Sequence, residues 1–254
     1  MAKLILIPGL GANRLLFEPQ RHYFDQTLFL PDWQPPMWTE VEGKKPVPET
    51  LRDYARRWAD RWMQTVLSRD EVRREYWIGG VSFGGQIALE ATRRLIEEKA
   101  PPRGIFLIAS NRTSDSITTG FKIRQKLGGL VPISYAPKLL SKLSDVFAKK
   151  ERLRDIDAHL LRRIAKETDL AHLRWGGRAC VEWSFSEADG KEIQRAGVNI
   201  HQIHGEKDWV IPLRRGHPDK VIPEGRHLIN ITHAEQVNQY IERAMKADML
   251  DEQS

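Results

Sequence analysis

The chain has 254 residues, 41% hydrophobic and 29% charged, with 40 Lys and Arg against 34 Asp and Glu for a net charge of +6. These are ordinary values for a soluble globular protein, and the length suits one generous domain or one core domain carrying an insertion. The single cysteine, Cys180, excludes an internal disulfide framework, and no apolar run reaches the roughly 18–20 residues of a membrane helix.

The excess of bases is spread among acids, as in Arg69-Asp70-Glu71 and Arg73-Arg74-Glu75, which reads as solvated helix faces and not as a nucleic-acid surface. The first apolar run, Leu4–Ile7, is too short for a signal peptide and is expected to be a strand of a cytoplasmic protein. Thr27–Leu30 is a second strand expectation, followed by an irregular proline-rich loop over 34–48. Glu49–Leu67 carries Leu51, Tyr54, Ala55, Trp58 and Trp62 on one stripe and predicts a helix. Tyr76–Ile78 predicts a strand, Phe83–Glu98 a helix that stops before Pro101-Pro102, and Ile105–Ala109 another strand.

From Ser110 to Gly197 the rhythm changes. Helices are expected over Lys138–Lys150, Ile156–Thr168 and Leu170–Phe185, with no strand between them. Strands follow at Asn199–Ile203 and Lys220–Ile222. A last helix is expected to start at the capping box Thr232-His233-Ala234-Glu235 and to run to about Met249. Strand–helix alternation implies a parallel, doubly wound sheet with ligands at the carboxyl ends of the strands.

The strongest chemical signal is Gly80-Val81-Ser82-Phe83-Gly84, a G-x-S-x-G run between a strand and a helix. Such a turn admits only small residues two places either side of the serine, and it lifts the serine Oγ above the sheet in a strained conformation. A serine alcohol needs a base, and the base needs an orienting acid. Asp208 follows the Asn199–Ile203 strand within His204-Gly205-Glu206-Lys207-Asp208, with Glu206 as the alternative acid. His227, after Lys220–Ile222 and Gly225, is the first choice for the base, with His233 as the alternative; His201 and His204 read as packing or hydrogen-bonded core residues. The backbone N–H groups of Leu10, in the loop Pro8-Gly9-Leu10-Gly11, and of Phe83 could receive a developing oxyanion. Gly9-Leu10-Gly11 could also open a dinucleotide loop, but the third glycine is replaced by Arg14 and only Asp32 is available for a ribose.

These segments together resemble the α/β-hydrolase superfamily over nearly the whole chain, in a compact bacterial serine-hydrolase branch. The resemblance implies a mostly or wholly parallel sheet of about six strands with helices on both faces. Residues 1–110 and 197–254 would form the core, and 111–196 a helical lid insertion. It implies Ser82 as nucleophile, Asp208 as acid, His227 as base, and Leu10 with Phe83 as oxyanion donors. Pro8-Gly9 stands where relatives often have His-Gly. The antiparallel first strand pair is missing, and acid and base are only 19 residues apart, so a helix near Leu213–His217 should shrink to a turn.

Trp175 and Trp183 are candidate substrate contacts, although such spacing is more often core. The expected substrate is a small-molecule ester or thioester of an apolar acyl group. No cofactor and no metal site are implied, and no membrane span or nucleic-acid partner is expected. The rival reading is a catalytically silent binding protein on the same fold.

Overall fold

The computed structural model describes residues 3–40, 42–43, 45–67, 75–117, 136–213 and 218–250. Strand β1 is Lys3–Ile7, and Asn13 then caps a tight turn that leads into helix α1, Glu18–Phe24. The short strand β2, Leu28–Phe29, follows, and within the 34–48 loop Trp38–Thr39 (β3) and Val47–Pro48 (β4) pair as a small antiparallel ribbon that the proline-rich sequence did not announce. Helix α2, Leu51–Gln64, is capped by the Thr50 hydroxyl.

Strand β5, Tyr76–Val81, runs into α3, Phe83–Glu97, and then β6, Gly104–Ile108. Among the described residues four helices come next: α4 Ala136–Glu151, α5 Asp155–Glu167, α6 Leu170–Glu182 and α7 Glu187–Arg195. Sequence reading expected three of them. The fourth, α7, opens on a true capping box in which Ser186 and Asp189 bond reciprocally, a Ser-x-x-Asp signal that is legible in the chain. Strands β7, Asn199–Gly205, and β8, Lys220–Ile222, complete the main sheet, followed by α8, Ile229–Thr232, and α9, Ala234–Leu250. The expected capping box at Thr232 does not form. The Thr232 hydroxyl donates back to Leu228 O at 3.0 Å as the last residue of α8, so α9 begins only at Ala234.

The main sheet has six strands in the order β2-β1-β5-β6-β7-β8, and every pairing is parallel. Both faces are covered, which is why β1, β5 and β6 read as apolar runs. Alternation along β1 sorts the core: Ile5 and Ile7 pack with Tyr54 and Trp58 of α2 and Ile87 of α3, whereas Leu4 and Leu6 pack with Val237 and Ile241 of α9. Trp175, Ala179, Trp183 and Ile193 of the 111–196 segment belong to the first of these clusters, so α6 and α7 share the core of the sheet.

The opposite end of the sheet is pinned by one buried carboxylate. Asp248 of α9 accepts from Trp77 Nε1 and Asn199 Nδ2, each at 2.7 Å, and meets His201 Nε2 at 3.0 Å. His201 is thereby a structural histidine, facing away from the carboxyl ends of the strands.

Candidate active site

Ser82 sits where β5 turns into α3, with φ 55° and ψ −118°. This is a left-handed conformation that an L-residue holds only under restraint. The restraints are visible. Ser82 N–H donates to Ile108 O at 3.0 Å, and Ser82 O accepts from the Ser110 hydroxyl at 2.6 Å and from Gly85 N–H at 3.0 Å. Although Ser82 occupies the N-cap position of α3, its hydroxyl makes no capping bond, so it is not spent on the helix. The side chain is half-buried at the carboxyl edge of the sheet.

The loop after β7 carries Asp208, whose side chain is fully buried. Oδ1 accepts Val210 and Ile211 N–H, both at 2.8 Å, which fixes the carboxylate plane. Oδ2 meets His227 Nδ1 at 2.8 Å and His204 Nε2 at 3.3 Å. Burial alone would raise the Asp208 carboxyl, but the charges and hydrogen bonds of His227 and His204 override it and hold it far below the usual carboxylate range. His204 Nε2 also lies 2.8 Å from Ile211 O; a carbonyl only accepts, so this ring nitrogen carries the proton.

His227 follows β8 through a turn in which Gly225 N–H bonds Ile222 O and Lys207 N–H bonds Gly225 O. The loops after β7 and β8 thus share backbone bonds, which explains how acid and histidine meet although only 19 residues separate them. A carboxylate accepts only, so Nδ1 of His227 donates and Nε2 keeps its lone pair. Burial pulls the His227 pKa down, but the Asp208 carboxylate and, more weakly, Glu151 reverse this, and the net direction is upward. The segment near Leu213–His217 expected to shrink to a turn lies partly outside the described residues.

The two alternatives are placed elsewhere. Glu206 is exposed, and its carboxylate accepts Glu224 N–H at 3.0 Å, so it holds the β8 turn. The His233 ring meets the Thr232 hydroxyl at 2.9 Å, after α8.

The Leu10 loop lies against the serine: a Cβ built on Gly9 would stand 3.6 Å from Ser82 Cβ. Phe83 is the first residue of α3, so its N–H has no carbonyl one turn back to bond. Helix α6 closes over both residues: a Cβ on Gly176 would stand 2.5 Å from Leu10 Cδ1 and 3.3 Å from Phe83 Cε1, so the Leu10 side chain would have to shift to admit one. Trp175 and Trp183 are buried, only 3% and 6% exposed, and their indole N–H groups are committed to Glu49 O and Glu90 Oε1 at 2.9 and 3.0 Å. They anchor α6 to the core, the commoner use of aromatics at that spacing. Cys180 on the same helix is buried, which pushes its thiol up to about 11 and leaves it inert.

A cavity of about 260 Å³ opens beside the acid loop, walled in part by Ser110, Arg112, Gln202, His204 and Ile211. Sequence reading missed Ser110, the first residue past β6 and its Ala109 turn, which holds the Ser82 carbonyl. It also missed Glu151, a buried carboxylate from α4 that reaches the loops of Asp208 and His227. Among the described residues no cluster of three or more His, Cys, Asp or Glu side chains could hold a metal ion, and no helix is long and apolar enough to cross a membrane.

No family model matches the chain, and no curated protein matches it in sequence. Solved structures do. A thermophilic esterase from Thermogutta terrifontis superposes with TM-score 0.70 at 16% identity, over 98% of this chain and 90% of that one. An esterase from Rhodococcus sp. ECU1013 gives 0.67 at 13%, over 96% and 90%. A meta-cleavage product hydrolase from Pseudomonas fluorescens IP01 gives 0.61 at 18%, over 96% and 92%. At such identities the likeness is one of fold.

Proposed function

We propose that this chain, which has the α/β-hydrolase fold, is a serine hydrolase that cleaves a carboxylic ester or thioester by way of an acyl-enzyme. The observation that carries the reading is the strained, uncapped Ser82 at the head of a buried parallel strand, on the same sheet edge as the buried Asp208–His227 pair. His227 Nε2 takes the Ser82 Oγ proton as Oγ bonds to the acyl carbon, and the carbonyl electrons move onto oxygen. The N–H groups of Leu10 and Phe83 receive that oxyanion. Collapse expels the alkoxide or thiolate, which leaves with the proton from His227, and a water then repeats the sequence to release the acid. Asp208 stays ionised and keeps a proton on Nδ1 throughout, while Nε2 gains and returns the transferred proton.

The cavity borders the acid loop, with Leu89, Ile200 and Ile211 among its apolar walls, but Ser82 and His227 are not among them, so acyl length is tested with a panel of short to long acyl esters. Within the 111–196 segment, α4 and α5 are the elements that would serve as a lid. Solved neighbours include esterases and a meta-cleavage product hydrolase, so esters and meta-cleavage products both belong in an activity panel.

Labelling by a fluorophosphonate probe tests the reading. The intact protein and His233→Ala should label, and His227→Ala should lose labelling. An intact protein that stays unlabelled removes the enzyme and favours a binding role for the cavity. Loss in His233→Ala alone moves the base.

The upward shift of His227 sets a pH dependence. The base must be neutral, so a raised pKa leaves less of it available at a given acidity. The value of kcat/KM should fall as pH drops through an apparent pKa above the ordinary histidine value of about 6.5. Asp208→Asn removes the charge that raises it, and its residual activity should show this limb displaced to lower pH. A limb that does not move with Asp208→Asn would assign the titration to another group.

A further inference from the structure

We infer that Glu151, at the end of α4, is a positioning residue for His227 and Asp208, joining the helix that would cover the site to both loops that carry the chemistry; this rests on the serine-hydrolase reading above. Lys149, Lys150 and Arg152 around it are exposed, yet Glu151 is 2% exposed. Its place on the helix turns it inward, on the stripe of the buried Ser144 and Ala148. α4 ends with Arg152 N–H bonded to Lys149 O and Leu153 N–H to Ala148 O, a Schellman closure with Arg152 at φ 55° where glycine is usual.

Both carboxylate oxygens are used, and their partners decide the role. Oε1 accepts Trp209 Nε1–H at 2.6 Å, from the residue after Asp208. Oε2 accepts Leu228 N–H at 2.8 Å, from the residue after His227. The rest of the last turn of α4 grips the same two loops. Lys150 O accepts from Arg226 at 2.6 Å, Lys150 Nζ lies 4.4 Å from the Trp209 ring centre, and Phe147 packs on Trp209 with its ring edge toward His227 at 6.4 Å. Burying a carboxylate is costly unless its lone pairs are met, and an apolar residue would fill the same space at less cost. The carboxylate is instead bonded one residue beyond the acid and one beyond the base, so a displacement of α4 moves both. The charged groups around His227 are then Asp208 and Glu151, with His204 beyond Asp208 and Lys150 and Arg226 in the same junction.

The test compares the intact protein with Glu151→Gln, which keeps the shape but turns one acceptor into a donor, and with Trp209→Phe, which removes one N–H and keeps the ring. Rates of fluorophosphonate labelling and of hydrolysis of an ester the intact protein turns over are measured where circular dichroism matches the intact fold. Glu151→Gln should lower kcat about tenfold or more with KM nearly unchanged, and should move the acid limb of the pH profile downward. Trp209→Phe should lose less in kcat, in the same direction. Intact rates and an unmoved limb in both variants, or a fall in melting temperature with kcat retained, would reduce Glu151 to structural packing while leaving the hydrolase reading standing. An intact protein that never labels removes that reading, and the role of Glu151 with it.

Discussion

Replacing Ser82 by alanine is expected to cut turnover about ten-thousandfold or more while the protein stays folded, because the attack on the acyl carbon has no other nucleophile at the head of β5. The residual rate would come from the oxyanion donors and from binding alone. Ser82→Gly should be as inactive but should differ in stability. Alanine keeps the Cβ that the φ of 55° and ψ of −118° disfavour, and glycine does not. Chemical denaturation should therefore find Ser82→Gly more stable than Ser82→Ala by about 1 kcal/mol or more. Turnover retained in Ser82→Ala would place the nucleophile elsewhere, and equal stabilities would mean that the elbow is not strained.

The second large effect concerns the close approach that builds the elbow. A Cβ on Gly84 would collide with Ile7 O and would lie 2.6 Å from Pro8 O, both rigid backbone atoms at the end of β1. Gly84→Ala should destabilise the fold by about 3 kcal/mol or more, since either α3 or the Leu10 loop must move. Gly190, inside α7, gives the contrast: its nearest neighbour to an added Cβ is Phe185 Cε1 at 3.9 Å. Gly190→Ala should stabilise by up to about 1 kcal/mol through helix propensity alone. Denaturant midpoints that shift in opposite directions would confirm that space, and not glycine itself, makes Gly84 necessary. A tolerated Gly84→Ala would contradict the close packing of β1 on α3.

The features legible in the sequence are those set by local pattern. Strands β1, β5 and β6 are buried apolar runs, and each strand of the main sheet could be located, if sometimes short: β5 extends to Val81 and β7 to Gly205. The glycines around Ser82 report a steric demand that only nearby backbone imposes. What depends on distant partners was harder to read. Thr232 and Glu235 have the spacing of a capping box, but that spacing cannot reveal that Thr232 is itself still helical, as the last residue of α8. Trp175 and Trp183 favoured the core by their spacing, but the sequence could not name the partners, Glu49 and Glu90, far off in the chain, that take their indole N–H groups. Glu151 lies in Lys149-Lys150-Glu151-Arg152, a run that resembles any solvated face; its place on the stripe of the buried Ser144 and Ala148 directs it inward.

The all-parallel sheet also governs how the molecule must come together in time. No spatially adjacent strands of that sheet are joined by a hairpin: β1 takes Tyr76 opposite Lys3, and β6 takes Asn199 opposite Gly104. Pairings so remote in the chain form slowly, because long loops must close before any contact rewards them. During that interval the bare edges of β1, β5 and β6 are open to pairing with other chains. Trp77, Asn199 and His201 find their shared acceptor only when Asp248 docks on the helix that follows every strand. A nascent chain halted ahead of that helix should therefore be a substrate for chaperones and proteases, whatever the quality of its finished site.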